Sequence, residues 1–176
     1  GQWRHFPRLL PHARQPAPPA GRAPRFVVSA LRDPGTEARP GTKLSRLQVV
    51  KGWLDREGRT HERVFDVAGD ATGGADVDLA SCEPRGPGAD ALCAVWADPD
   101  FDSAERAVWY ARVIENPTCR WTTRVCNAGG VRCDDPSQLE EGFGPCCDAQ
   151  VPKTVQERSW TSPIWYSPVG GGRGAP

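Results

Sequence analysis

Apolar and polar positions alternate over short stretches along most of this chain, and almost nowhere do they keep a helical period. "RFVVSALRD" (25–33) is rich in β-branched residues and lies between Pro24 and the turn signal Asp33-Pro34-Gly35, so it predicts a strand. "RLQVVKGWL" (46–54) and "HERVFDV" (61–67) predict the two arms of a hairpin. Their connection, Asp55-Arg56-Glu57-Gly58, fits a four-residue loop with Gly58 in the left-handed region. "ADVDLASC" and "ALCAVWAD" predict a further pair of strands joined by the loop "EPRGPGAD". "AVWYARVIE" (107–115) is apolar on both alternating faces, as a central strand should be. "SWTSPIWYS" predicts a closing strand, with Pro163 at an edge or bulge.

About six short strands at regular spacing predict an all-β fold, an antiparallel immunoglobulin-like β-sandwich. The one helical signal is "DSAERA", where Asp102 and Glu105 have capping-box spacing. Residues 116–158 lack periodicity and read as a long ordered, cysteine-rich loop, which needs staples or a function to persist in a compact domain. Residues 1–24 predict a disordered Pro/Arg-rich linker, because a Pro/Ala-rich segment buries too little surface to fold. Residues 25–168 then form the sandwich-like region, and 169–176 a flexible Gly-rich tail.

Composition narrows the function classes. At 176 residues the chain suits one domain, and its 19 glycines and 18 prolines favour short elements and turns. A formal net charge of zero offers no electrostatic case for nucleic acid or an anionic membrane surface. No apolar run is long enough for a membrane-spanning helix, and no signal-peptide h-region is visible. The sequence contains no methionine, which favours reading it as part of a longer chain.

The cysteines are Cys82, Cys93, Cys119, Cys126, Cys133, Cys146 and Cys147. Cys82 and Cys93 flank a ten-residue loop between two predicted strands, a natural place for a disulfide. The other five are spaced C-x6-C-x6-C-x12-CC. Structural zinc sites present paired C-x2-4-C knuckles, so this spacing favours disulfides over zinc. Adjacent Cys146 and Cys147 should join two different partners, since a vicinal bridge strains the intervening peptide. Seven is odd, so one thiol is free or pairs outside the chain. Disulfides imply an oxidising compartment: periplasm, cell surface or exterior.

Catalytic chemistry is hard to find. His61 follows the hairpin turn, while His5 and His12 lie in the Pro-rich segment, so no ligand set forms around it; an exposed strand-edge histidine is the expectation. Asp98, Asp100 and Asp102 alternate like the start of a calcium loop. Ser103 and Trp109, however, occupy the positions where that loop needs Gly and Glu, and a turn capped by Asp102 explains the aspartates equally well. No catalytic residue, metal ligand or cofactor site is assigned. Tryptophans at 53, 96, 109, 160 and 165 fall on predicted strands, where a core, a domain contact or a carbohydrate-stacking platform would use them.

"LQVVKGWLDREGRTHERVFDVA" (47–68), "AVWADPDFDSAERAVWYARVIENPTCRW" (94–121) and "QERSWTSPIWYSP" (156–168) together resemble the C-terminal part of a bacterial family, domain of unknown function 3604. The resemblance runs from Ala23 to Pro168 and leaves residues 1–22 without a match. It implies an exported protein whose N-terminal part is similar to the PHP superfamily of metal-dependent hydrolases, with divalent-metal ligands upstream of every position here. It carries no ligand onto this chain. The expectation is therefore a structural C-terminal portion, with its own N-terminal domain as partner and an unknown small-molecule substrate. The rival reading is a stand-alone secreted binding module that uses an aromatic surface. A stapled loop at 126–147 would be rigid enough to line an active-site entrance.

Overall fold

The computed structural model describes residues 22–134 and 141–168. The chain is mostly β and its sheets are antiparallel. The predicted hairpin is the backbone of the structure: β4 (Leu44–Leu54) pairs with β5 (Thr60–Gly69), and β4 pairs on its other side with β9 (Arg106–Glu115). Beyond β9 lie two short pieces, β12 (Arg158–Trp160) and β13 (Ile164–Tyr166), both hydrogen-bonded to β9. The break between them holds Pro163, which has no N–H for the ladder. Gly58 has φ of 80° in the hairpin loop, as the turn requires. Gly69 ends β5 at φ of 81°, where a Cβ would collide with the Ser45 carbonyl.

A separate ribbon, β1 (Arg25–Leu31) with β8 (Ala91–Ala97), lies against one face of this main sheet. Aromatic rings make the contact: Phe26 sits 5.4 Å from Trp109, and Trp96 sits 4.9 Å from Phe65. Val49, Ala107 and Trp109 are buried there, with Phe101 and Tyr166 closing the side. Rings of this size each bury a large apolar area, so their contact joins the two layers.

The remaining elements are small. β2 (Gly35–Thr36) pairs with β3 (Arg39–Pro40), β6 (Asp76–Val77) with β7 (Pro84–Arg85), and β10 (Thr118–Cys119) with β11 (Thr154–Val155). Two helices follow in the cysteine-rich region, α1 (Trp121–Ala128) and the four-residue α2 (Gly144–Cys147).

Several expectations need correcting. "ADVDLASC" is not a strand paired with "ALCAVWAD": only Asp76–Val77 is extended, and β8 pairs with β1 instead. Asp78 ends that short strand by accepting from the backbone N–H groups of Ala80 and Ser81, which turns the chain. "DSAERA" forms no helix. Asp102 accepts from the Ala104 N–H at 2.8 Å, an Asx turn, and the chain then joins β9 at once. The region 116–158 is not one loop, because α1, α2, β10 and β11 occupy it. Residues 1–21, 135–140 and 169–176 lie outside the described residues, and with them most of the linker and the tail.

Candidate functional site

The three histidines and 22 carboxylates of the sequence offered few constellations, and the structure brings together a different one. Lys51, in the centre of β4, is 2% exposed and carries its ammonium between two acceptors. Nζ lies 2.8 Å from Asp98 Oδ2 and donates to the Asp100 carbonyl at 2.7 Å. Asp98 Oδ2 also accepts from Trp109 Nε1 at 3.1 Å, while its Oδ1 accepts from the Asp100 N–H at 3.0 Å. The Trp53 ring completes the enclosure, 5.0 Å from Nζ. No buried polar side-chain atom of the pair lacks a partner, so the pair is a pin between strand β4 and the loop after β8. Sequence reading missed it because Lys51 and Asp98 are far apart in the chain, and a lysine amid "QVVKGW" looks like an ordinary solvent-facing residue.

The calcium-like triplet does not converge on one point. Asp98 faces Lys51, Asp100 faces Arg63 at 2.5 Å, and Asp102 faces Arg56 at 3.0 Å. Each carboxylate has a cation of its own, and Asp102 is held below the usual carboxylate range, chiefly by the Ala104 N–H and then by Arg56. Among the described residues, no group of three or more His, Cys, Asp or Glu side chains is placed to hold a metal ion.

His61 is an exposed strand-start residue, stacked on Trp53 with ring centroids 5.1 Å apart. Its Nε2 donates to Asp55 Oδ2 at 2.8 Å, and Arg59 Nε donates to the same oxygen at 2.7 Å. The hydrogen bond from His61 holds Asp55 far below its ordinary value, against desolvation, with Arg59 adding to the effect. This cluster ties the two ends of the hairpin loop and presents no nucleophile.

The cysteines pair as Cys82–Cys119, Cys126–Cys146 and Cys133–Cys147. Adjacent Cys146 and Cys147 do join different partners. The expected Cys82–Cys93 bridge is absent: Cys82 is buried beside Val77 and Cys119, whereas Cys93 is free and exposed. Strand alternation decides this, because Leu92, Ala94 and Trp96 of β8 turn toward the main sheet and Cys93 turns away. The stapled region also holds a cleft of about 330 Å³ lined by Trp121, Val125, Phe143 and Lys153. Three disulfides imply an oxidising environment. No helix among the described residues is long and apolar enough to cross a membrane.

The outer face of the β1–β8 ribbon is the least expected surface. In register across it stand Val27 with Val95, Ser29 with Cys93, and Leu31 with Ala91. Val27, Leu31 and Val95 are 75%, 80% and 62% exposed. The ribbon is largely apolar on both faces, and its outer face is open to solvent.

The family model described as "Protein of unknown function (DUF3604)" matches residues 14–168, nearly the whole chain. This chain belongs to the DUF3604 family. The match begins upstream of Ala23, so part of the segment that appeared unrelated also belongs to the DUF3604 pattern. No curated protein matches the chain, and no solved structure does.

Proposed function

We propose that this DUF3604 chain is the structural, C-terminal portion of an exported protein, and that its other part is a PHP-like metal-dependent hydrolase acting on a small molecule. The divalent metal belongs to that other part. The β1–β8 ribbon and the main sheet form a reduced immunoglobulin-like sandwich that packs onto it through the ribbon's outer face. One observation carries the reading: that face is apolar, open, and has the free thiol of Cys93 at its centre. Six cysteines are tied in disulfides, and an exposed seventh would be a liability in an oxidising compartment unless something covers it.

The test is protection of Cys93. A maleimide should label Cys93 rapidly in residues 22–168 alone, and at least tenfold more slowly in a polypeptide that includes the coding sequence upstream in the same frame. Equal labelling rates would overturn the packing assignment. An upstream frame without His/Asp-rich ligand motifs would overturn the hydrolase assignment and leave the packing assignment standing.

A further inference from the structure

The main sheet has a second face, turned away from the ribbon, and its positive charge gathers at one end. Cross-strand partners share a face, so the strand register says which side chains lie there. One row holds Arg158, Ile114 and Arg46 across β12, β9 and β4, and the next holds Trp160, Arg112, Gln48 and Asp66. Further along stand Tyr110, Val50 and Val64, then Trp165, Val108, Gly52 and Glu62, with Arg106, Leu54 and Thr60 at the far end. The strands thus give this face four arginines against two carboxylates, Glu62 and Asp66. Three of the four flank Ile114. Strands ~4.8 Å apart and a rise of ~3.4 Å per residue set the Cα atoms of Arg46, Arg112 and Arg158 in a triangle with sides of roughly 8–10 Å.

Ile114, at the centre of the triangle, is 4% exposed. Long arginine stems lie along such apolar surface while their charged heads reach past it. Arg112 Nε donates to Gln48 Oε1 at 2.8 Å, which orients the guanidinium, and Gln48 Nε2 donates to Asp66 Oδ1 at 2.6 Å. Arg46 Nη1 donates to Ser45 Oγ at 3.4 Å, and its Nε lies 3.7 Å from Asp66 Oδ1, buried and without a hydrogen-bond acceptor. Among the described residues, neither the Nη groups of Arg112 nor the exposed side chain of Arg158 has an acceptor. Three cations therefore face one carboxylate, which Gln48 already shares. Like charges at this spacing repel, and an anion seated among them removes the repulsion.

We propose that Arg46, Arg112 and Arg158 bind a tetrahedral oxyanion, the phosphate or sulfate group of a small ring-bearing monoester, with its ring on Trp160. A guanidinium offers paired N–H donors that match two oxygens. A carboxylate has two oxygens in all and cannot serve three such forks, whereas a phosphate or sulfate monoester has three free ones. Trp160 provides the flat apolar surface for the ring: it is 67% exposed, stands in the row of Arg112 and lies two residues from Arg158. A nucleic acid is a poorer occupant. The triangle has room for one phosphate, the next charges along the face are Glu62 and Arg106, and the net charge of the chain is zero, so no basic track follows a repeating backbone. The site lies on the face opposite the ribbon and does not depend on what the ribbon packs against.

Isothermal titration calorimetry of the 176-residue chain at low ionic strength tests this with para-nitrophenyl phosphate and para-nitrophenyl sulfate. At least one ester should bind at least tenfold more tightly than para-nitrobenzoate and the neutral para-nitrophenyl glucoside, and the preferred one identifies the oxyanion. Arg158→Gln should weaken that binding at least tenfold, and Asp66→Asn should tighten it. Trp160→Ala should weaken the ester at least fivefold and leave the matching inorganic ion unchanged. Arg132→Gln, an exposed position in the cysteine-rich region, should change nothing. The Arg158 and Trp160 side chains are exposed, so their replacement should spare the fold, which circular dichroism melts check. Failure of both esters to bind would overturn the proposal, as would para-nitrobenzoate binding equally well or an equal loss in Arg132→Gln. An equal loss of the inorganic ion in Trp160→Ala would overturn the stacking role. Binding of duplex DNA that Arg158→Gln weakens, with no binding of either ester, would overturn the proposal in favour of a nucleic acid.

Discussion

Lys51 and Asp98 show how much one residue pair can decide. Both are desolvated, and each satisfies the other within a cage that includes Trp109 and the Asp100 carbonyl. Removing one partner leaves a buried charge uncompensated, which costs about 3–5 kcal/mol. Lys51→Met and Asp98→Asn should each lower the urea midpoint by a corresponding amount, and the double variant should lose clearly less than the sum of the two. Asp55 gives a second, pH-dependent test. Its folded-state pKa is depressed, so its contribution is complete above the ordinary carboxylate value of 3.8 and fades as pH falls below that value. Thermal melts taken at pH 5 and pH 2 should therefore drop further in the wild type than in Asp55→Asn. A parallel drop would show that the His61–Asp55 bond contributes nothing to the fold.

At the level of elements, the β4–β5 hairpin and the central strand β9 are legible in the sequence because local pattern and turn chemistry agree there. Alternation, the Asp-Arg-Glu-Gly connection and Gly58 all point the same way. The cysteine-rich region is different. Its short elements carry no period of their own, and disulfides rather than propensity hold them. Cys82–Cys119 closes the longest span, 37 residues, against 14 for Cys133–Cys147. The chain-entropy model assigns the first bridge about 4 kcal/mol and the second about 3 kcal/mol. Paired Cys→Ala replacement at 82 and 119 should thus destabilise more than replacement at 133 and 147, as read by urea denaturation. The gap should widen further because Cys82 and Cys119 are also buried. The reverse order would mean that the bridge at 133 and 147 holds structure well beyond its own loop.

For the whole molecule, the two faces of the β1–β8 ribbon set the behaviour in solution. The inner face completes the aromatic core through Phe26 and Trp96, and the outer face leaves Val27, Leu31 and Val95 open. With a net charge of zero, little electrostatic repulsion keeps two such faces apart. The 176-residue chain should self-associate in sedimentation velocity as concentration rises, and Val27→Asp with Val95→Asp should restore a single monomeric species without lowering the melting temperature. A monodisperse wild type would argue that this face tolerates water and is not a docking surface.

The sequence by itself determined the strand-rich character, the hairpin, the central strand, the divided closing strand at Pro163 and the fact that Cys146 and Cys147 take different partners. These depend on alternation, turn residues and local covalent geometry, which act over a few positions. The tertiary structure alone decided the pairing of Cys82 with Cys119, the exposure of Cys93, the burial of Lys51 against Asp98 and the row that aligns Trp165, Gly52 and Glu62. Each of these requires two segments distant in sequence to meet at a particular register. A shift of one residue in register sends every side chain of a strand to the opposite face, so which residues meet is a property of the assembled sheet and not of any window of the chain.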